Sequence, residues 1–466
     1  MSTSSATPSS STPTGGHFLR SVMTMMLGTG AAQGVSILAL PLITRLYDPA
    51  DFGTFAVCVA AVSMLCGIAS LCYQRAIPLC HEHESAVAVL LLSFGLALGV
   101  TVVATLGLWC LVGLLANAST IQILRQHIWF FPVAILLLGA VEILTMWSVR
   151  ERTFSHLARS RFGQGGGLVL SQLALGFTGW GTQALLLGDA FSRAIAVGCL
   201  SEPLFRRLRS GEMKLRESLA RLATVASEYR RFAVFSTPSV LLNRATAALP
   251  ALLIAAFYGP GVAGCLAFAE RVLGAPVTLI GESVAQVYLA EAAQLRRTQP
   301  ARLQQLFLAA AWRLFLIGLV PAVVVLTAGP QLFAFAFGSE WAQAGSFAQY
   351  LALSLLLQFV ISPLSHTLNV LERQDLQLLW DVTYFVLRVG GLCLAQWLSW
   401  TIAEAMLTYS AAMFIAYGLQ IALISSVVLR RADASPTVAS AEWGLRPSRP
   451  AGENCIAGSS LESTIC

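Results

Sequence analysis

The chain has 466 residues, of which 56% are hydrophobic and 11% are charged, and its formal net charge is +6. Soluble domains carry about 25% charged residues, so this composition excludes an ordinary soluble protein and indicates one built for lipid. The positive charge lies mainly between apolar runs, so nucleic-acid binding is a poor interpretation of it.

Twelve apolar runs predict an all-α polytopic membrane protein, because a spanning helix needs roughly 20 mostly apolar residues. The fifth run is the shortest and is rich in glycine. In chain order the runs lie near residues 21–44, 53–74, 86–115, 128–149, 164–180, 184–204, 232–257, 262–289, 305–328, 343–368, 376–397 and 402–429.

The composition of both chain ends predicts disordered cytoplasmic tails. Residues 1–17 are rich in Ser, Thr and Pro and lack the pattern of a signal peptide. Residues 431–466 are too poor in apolar surface to pack. The ten cysteines lie mostly inside apolar runs without a Cys-x-x-Cys motif, which indicates small core residues rather than disulfides or metal ligands.

Basic residues predict the orientation, because cytoplasmic loops carry an excess of Lys and Arg. With the N-terminus inside, the cytoplasmic segments hold most of the arginines, whereas the opposite loops hold only Arg45 and Arg125. Both termini are therefore expected in the cytoplasm. The cytoplasmic basic residues include Arg150, Arg152, Arg159, Arg161, Arg206, Arg207, Arg209, Lys214, Arg216, Arg221, Arg230, Arg231, Arg296, Arg297, Arg302 and Arg373.

Two short motifs recur half a chain apart. Tyr-x-Pro-x-x-x-Gly occurs at residues 47–53 and 258–264, an offset of 211. "SVRERTF" at 148–154 is echoed by "NVLERQD" at 369–375, an offset of 221. In the turn, Pro fixes φ and Gly lets the next helix pack closely.

The echoes predict two six-helix lobes, residues 18–205 and 231–430, joined by a basic linker, 206–230. An even number of helices per repeat gives both lobes the same orientation in the membrane. Carriers built in this way bind substrate between the lobes and rock one against the other. The repeat therefore favours a carrier.

The opening of the chain resembles bacterial oligosaccharide flippases of the multidrug/oligosaccharidyl-lipid/polysaccharide (MOP) exporter superfamily. The resemblance is carried by "FLRSVMTMMLGTGAAQGVSILALPLITRLYDPADFGTFAV" from residue 18 and by "IASLCYQRAIPLCHEHESAVAVLLLS" from residue 68. It implies a V-shaped, two-lobed fold of fourteen or twelve helices like that of the MATE transporters, with runs 1, 2, 7 and 8 around a central cavity. Relatives often carry a carboxylate shortly after the tyrosine matching Tyr73, whereas Gln74 and Arg75 follow here.

The resemblance also implies a substrate and a location. The substrate would be a polyprenyl-pyrophosphate-linked oligosaccharide, moved from the inner to the outer leaflet of the bacterial inner membrane for surface polysaccharide synthesis. Membrane lipids, and possible partners in a polysaccharide polymerase and chain-length machinery, would surround it.

Charges inside the apolar runs mark candidate sites, because charge at mid-membrane is costly and faces a cavity or a partner. Asp189 and Arg193, four apart, can pair on one helix. Asp381 and Arg388, seven apart, share a face. Both pairs favour structural neutralisation.

Runs 7 and 8 hold the main candidate cluster, Arg244, Glu270 and Arg271. Arg244 lies between Pro238 and Pro250, with no carboxylate within one helical turn. Guanidinium groups engage a pyrophosphate bidentately, which suits an anionic cavity. An Arg244–Glu270 bridge between neighbouring helices is an equally good interpretation.

Five further charges complete the candidates. Arg20 and Arg75 lie near the cytoplasmic ends of runs 1 and 2, and Arg45 lies near the outer end of run 1, so they could guide a headgroup in and out or snorkel to phospholipid. Glu142 and Glu404 are isolated acids that could couple a cation or proton, or be buried neutral carboxyls.

The linker, residues 206–230, predicts an amphipathic helix on the anionic inner leaflet. Leu215, Leu219, Leu222 and Val225 approximate one face, and Arg and Lys occupy the rest.

Other classes fit less well. An Asp-x-Asp pair and a phosphate-binding Gly-x-x-x-x-Gly-Lys-Ser/Thr loop are both absent from the sequence. His81 and His83 lack further ligands at metal-binding spacing, so no metal or cofactor is expected. A cation-coupled multidrug exporter of the same superfamily remains an alternative, and a polysaccharide polymerase or acyltransferase is disfavoured by short outer loops.

Overall fold

The computed structural model describes residue 30 and residues 33–114, 119–210, 215–298, 300–371 and 373–433. Every regular element within these ranges is helical. The predicted tail 1–17, most of the tail 431–466, and Arg20 lie outside the described residues. The last helix extends through Asp433, slightly into the segment predicted as tail.

Sixteen helical segments are numbered here in chain order. They are α1 Gln33–Ile43, α2 Pro49–Ala69, α3 His83–Leu114, α4 Ser119–Gln126, α5 Phe130–Arg150, α6 Phe154–Gly176, α7 Thr182–Arg209, α8 Leu215–Ala220, α9 Leu222–Glu228, α10 Thr237–Tyr258, α11 Pro260–Thr298, α12 Pro300–Phe337, α13 Ala342–Leu364, α14 His366–Val370, α15 Gln374–Trp397 and α16 Ile402–Asp433.

Ten helices in the described ranges are long and apolar enough to cross a membrane. The first and fifth predicted runs account for the difference from twelve. Only part of run 1 lies within the described residues, where it forms α1, and run 5 lies in α6, which begins at Phe154 rather than near residue 164. The all-helical polytopic fold with about twelve membrane helices is confirmed.

The helices pack in two groups. In the N-terminal group, α6 packs along α7, and α5 packs on α3 and α7. In the C-terminal group, α13 packs on α11, α12 and α16, and α15 packs on α10 and α16. The principal contact between groups is made by α2, which lies against both α10 and α11. The boundaries of the two lobes remain a prediction.

The repeated Tyr-x-Pro-x-x-x-Gly motif joins the two groups. Pro49 and Pro260 each begin a helix, α2 and α11. A Cβ on Gly53 would overlap the carbonyl oxygen of Pro260, and a Cβ on Gly264 would overlap that of Pro49. Only glycine permits so close an approach of two backbones. The two copies of the motif therefore form one reciprocal crossing between α2 and α11. We call this end of the bundle, around residues 47–53 and 258–264, the turn end.

Aromatic side chains from both groups pack beside this crossing. Phe52 of α2 lies 5.7 Å from Phe268 and 5.1 Å from Trp341, measured between ring centroids. The Trp341 indole donates to the carbonyl of Thr44 at 3.2 Å. Edge-to-face pairs contribute about 0.5–1.5 kcal/mol beyond their area burial, so the groups are held firmly at the turn end.

The second motif also forms the same structure twice. The amide of Thr153 donates to the carbonyl of Ser148 at 3.0 Å, and that of Arg373 donates to Leu368 at 2.9 Å. Both bonds span five residues and close the end of a helix in the manner of a Schellman motif. The structural offset is 220 residues, one fewer than the sequence echo suggests.

The linker differs from the expected single amphipathic helix. Two short helices, α8 and α9, meet at Arg221, which pairs with Glu82 and, at 3.0 Å, with Glu84. Val225 is buried but Leu219 is 53% exposed, so the predicted apolar face is divided. The Tyr73 hydroxyl donates to the carbonyl of Ala226 at 2.9 Å. The linker therefore docks on the N-terminal group, at what we call the linker end of the bundle (residues 73–84 and 215–228).

Candidate functional site

A cavity of about 500 Å³ lies between the two groups. Helices α1, α6 and α7 form its N-terminal wall and α11 forms the other. Its polar side chains are Gln33, Ser36, Arg161, Gln164, Asp189, Ser192, Glu270, Arg271 and Thr278.

Helix α11 turns one face to this cavity. Arg271, Gly274, Ala275 and Thr278 recur at three- and four-residue intervals, which places them in one row along the helix. Arg271 lies eleven residues from the start of α11, or about 16 Å at 1.5 Å per residue, and so near mid-membrane. The Gln33 amide donates to the Thr278 hydroxyl at 3.0 Å and joins α1 to α11.

The first cavity carboxylate, Asp189, is neutralised within α7. Arg193 donates to it through Nε at 2.6 Å and through Nη2 at 3.1 Å. The predicted intrahelical pair is therefore present, and its bidentate geometry uses both carboxylate oxygens.

The second cavity carboxylate, Glu270, is neutralised by Arg388 of α15. Arg388 Nη2 donates to Glu270 at 2.8 Å, and the Tyr409 hydroxyl donates to the same oxygen at 2.7 Å. Arg388 also donates to Tyr384 at 3.2 Å. The expected pairing of Arg388 with Asp381 is wrong, because Arg388 points across to α11 while Asp381 accepts from Gln377 of its own helix.

Two cavity arginines, Arg161 and Arg271, form no ion pair within 4 Å in the described part of the chain. Asp189 attracts Arg271 electrostatically, but both of its oxygens are already bonded to Arg193. The cavity therefore holds two neutralised carboxylates and two guanidinium groups without a bonded counter-charge. Its net character is cationic.

Arg161 was missed as a site residue because sequence reasoning placed it in a cytoplasmic loop. It lies two turns inside α6, with Gln164, Gly165 and Leu168 in the same cavity wall. The signal was available: these four positions have helical spacing and lead into the glycine-rich run.

Arg271 also borders a second cavity of about 280 Å³, between α2, α10 and α11. Phe52, Ser63 and Ala248 contribute to its walls. Arg271 thus stands between the two spaces that separate the helix groups.

Arg244 lies outside the cavity, so the predicted cluster of Arg244, Glu270 and Arg271 does not form. It extends from α10 past α2, where a Cβ on Gly67 would lie 3.3 Å from Arg244 Cδ, and pairs with Glu142 of α5. The Gln74 amide donates to the other oxygen of Glu142 at 3.5 Å. The alternative Arg244–Glu270 bridge is therefore wrong, because each residue faces a different partner.

The remaining candidates lie at the ends of the bundle. Arg45 is exposed after α1, and Arg75 is exposed in the 3-10 helix Tyr73–Leu79. Glu404 accepts from the amide of Thr401 at 2.8 Å, and its own amide donates to the Thr401 hydroxyl at 3.4 Å. This capping box explains Glu404 as a helix-start residue. None of the three lines either cavity.

Tyr47, from the repeated motif, anchors the turn end to α6. Burial and the nearby Asp51 carboxylate raise the pKa of Tyr47 to about 12. Its hydroxyl therefore keeps its proton and donates to the carbonyl of Gln172 at 2.7 Å. Within the described residues no group of three or more His, Cys, Asp or Glu could hold a metal ion.

Comparisons with known proteins agree with this architecture. A family described as "Polysaccharide biosynthesis protein" matches residues 42–346. The succinoglycan biosynthesis transport protein ExoT of Rhizobium meliloti is 24% identical over 429 residues, which are 90% of this chain and 81% of ExoT.

Solved structures show the same fold. The lipid II flippase MurJ in an inward closed conformation superposes with a TM-score of 0.69 and 10% identity, covering 88% of this chain and 90% of MurJ. An inward-facing multidrug resistance MATE family transporter of the MOP superfamily gives 0.62 and 15% identity, covering 88% and 96% of the two chains.

Proposed function

Since the chain belongs to the polysaccharide biosynthesis protein family and has the fold of MOP-superfamily transporters, we propose that it translocates a polyprenyl-pyrophosphate-linked oligosaccharide. Transport would run from the inner to the outer leaflet of the bacterial inner membrane. The protein would act as a carrier rather than an enzyme, and supply surface polysaccharide synthesis.

The observation that carries this proposal is the pair of cavity arginines, to which the described residues supply no ion partner within 4 Å. A pyrophosphate presents several anionic oxygens, and the planar guanidinium fork binds such oxygens bidentately. Arg161 and Arg271 come from opposite helix groups, so an anion held by both would connect them. Because Asp189 and Glu270 are already paired with other arginines, their negative charges offset little of the attraction between the two cavity arginines and an anion.

The contacts at the two ends suggest how access alternates. Backbone and aromatic packing join the groups at the turn end, whereas nearer the linker end the pair Arg244–Glu142 crosses between them. The two side chains are 28% and 25% exposed, so the pair can exchange its bonds with water when the groups separate. Opening at the linker end is therefore the less costly movement.

A cation-coupled multidrug exporter is the second candidate. Its supporting observation is that Asp189 and Glu270 line the cavity. Such an exporter needs a carboxylate that can release its partner to a cation or a proton. Both carboxylates here are bonded to a fixed arginine, which favours an anionic cargo.

Replacing the cavity arginines tests the proposal. Arg271→Ala and Arg161→Ala should each lower glycan export at unchanged amounts of membrane-inserted protein, and the double variant should abolish it. Arg271→Lys should restore export only in part, because an ammonium is a point charge without the fork. Arg302→Ala, at an exposed position of α12 away from the cavity, is the matched control. Wild-type export by the double variant would refute a role for these arginines.

A further inference from the structure

An apolar cleft of about 290 Å³ lies on the other side of α11, between α11, α12 and α13. All the residues that line it are apolar, glycine or proline. The cleft is separate from the cationic cavity, and the two share no lining residue.

One segment of α11 forms a wall of both spaces. Arg271, Gly274 and Thr278 face the cavity, whereas Leu273, Pro276 and Ile280 face the cleft. Successive residues are about 100° apart around a helix, so the two rows lie on different faces. A helix with its side chains is about 10–12 Å across, which sets the separation between the cationic site and the cleft.

The cleft opens toward lipid. Ile280 is 40% exposed and Ile317 is 56% exposed at its edge. Only 11% of the apolar window of α12 is buried, the lowest share among the candidate spans. On the cavity side, α1 exposes Leu38, and its seam with α11 includes the Gln33–Thr278 bond.

Glycine and proline lie among the larger apolar side chains of the cleft wall. A Cβ on Gly318 would lie 2.7 Å from Leu356 and 2.9 Å from Phe359, so α12 and α13 approach closely there. Pro276 and Pro321 interrupt the hydrogen-bond ladders of α11 and α12. A larger side chain at position 318 would project among residues that line the cleft.

We propose that this cleft binds the isoprenoid chain of the lipid-linked substrate, with the pyrophosphate at Arg161 and Arg271. The inference rests on the proposed function. The pyrophosphate is esterified directly to the first isoprene unit, so the tail must begin beside Arg271. It leaves at the α1–α11 seam, passes around α11 and enters the cleft on the opposite face, where apolar walls bury its methyl-branched surface.

Photo-crosslinking tests the position of the tail. p-Benzoylphenylalanine replaces Ile317 at the cleft and, as the matched control, Val320, which is 67% exposed on the same helix and lies outside the cleft. The protein is placed in nanodiscs of phosphatidylethanolamine and phosphatidylglycerol with a radiolabelled long-chain polyprenyl diphosphate. Labelling at 317 should exceed that at 320 severalfold. Excess unlabelled polyprenyl diphosphate should remove the signal, and added phosphatidylglycerol should not.

Filling the cleft gives a second measurement. Gly318→Leu should weaken polyprenyl diphosphate binding about tenfold, equivalent to about 1.4 kcal/mol, and leave inorganic pyrophosphate binding unchanged. Gly418→Leu, on α16 where a side chain meets open space, is the control. If Gly318→Leu does not fold, the crosslinking experiment decides alone.

The outcomes separate this inference from the proposed function. Equal labelling at 317 and 320, or equal competition by phosphatidylglycerol, would overturn the tail site while leaving Arg271-dependent pyrophosphate binding intact. Strong labelling at 317 that persists in Arg271→Ala, with no pyrophosphate binding by the wild type, would support the tail site and refute the cationic headgroup site.

Discussion

Arg244 and Glu142 are charged residues inside apolar runs, and they form an ion pair between the two helix groups. Their depth could be read from the sequence, because a charge stands out in an apolar run and position along a helix follows from counting. Their partners could not, because the direction of a side chain around its helix depends on packing with α2. The same limit hid the pairing of Glu270 with Arg388, 118 residues away.

A double-mutant cycle tests the Arg244–Glu142 pair. Arg244→Leu or Glu142→Leu alone should lower the melting temperature of the purified protein, because each leaves an unpaired charge within the membrane and breaking a buried pair costs about 3–5 kcal/mol, reduced here by partial exposure. The double variant should recover most of the loss. Independent, additive losses would show that the two residues do not interact, and Arg244→Leu with Glu270→Leu serves as the unpaired comparison.

At the scale of elements, most helices follow from the apolar runs. The start of α6 was misplaced because Arg159 and Arg161 resemble loop residues, yet a helix facing a polar cavity accommodates them. The linker was predicted as one helix from its apolar spacing, but contacts of Arg221 with α3 divide it in two. The contact of Arg221 with α3 leaves no signal in the local sequence, whereas the helical spacing from Arg161 to Leu168 does.

The helix crossing at the turn end is open to a direct test. Gly53→Ala should lower the melting temperature, because the added methyl group overlaps the backbone of α11 and overpacking costs about 1–3 kcal/mol. Gly261→Ala lies in the first turn of α11 with nothing within 4 Å of the added carbon, and should be neutral. Equal melting temperatures for both variants would contradict the reciprocal crossing.

At the scale of the whole molecule, the repeated motifs predict two halves, and the helices pack in two groups. The correspondence of individual helices between the halves remains a prediction. The resemblance placed runs 1, 2, 7 and 8 around the central cavity, and the structure agrees only in part. The larger cavity is lined by α1, α6, α7 and α11, which are runs 1, 5, 6 and 8, whereas runs 2 and 7 border the second cavity together with α11. The charge balance of the larger cavity was predictable only in part: the pairing of Asp189 with Arg193 follows from their spacing, but the neutralisation of Glu270 by Arg388 depends on a contact between two helices.

The orientation of the protein in the membrane remains a prediction, made from the distribution of basic residues among the loops. On a cysteine-free background, Arg216→Cys should react with a membrane-impermeant maleimide only from the cytoplasmic side, and Gly261→Cys only from the outside. Both residues lie at helix ends, where labelling is sterically possible. The reverse pattern would invert the proposed direction of transport.

The most direct test of the central claim is translocation by the purified protein in proteoliposomes. A polyprenyl-pyrophosphate-linked oligosaccharide is incorporated, and its appearance in the opposite leaflet is followed with an impermeant lectin or glycosidase. The account predicts protein-dependent translocation that is lost in the Arg161→Ala, Arg271→Ala double variant and preserved in Arg302→Ala. Failure of the wild-type protein to move this lipid, together with transport of a cationic drug in the same vesicles, would contradict it.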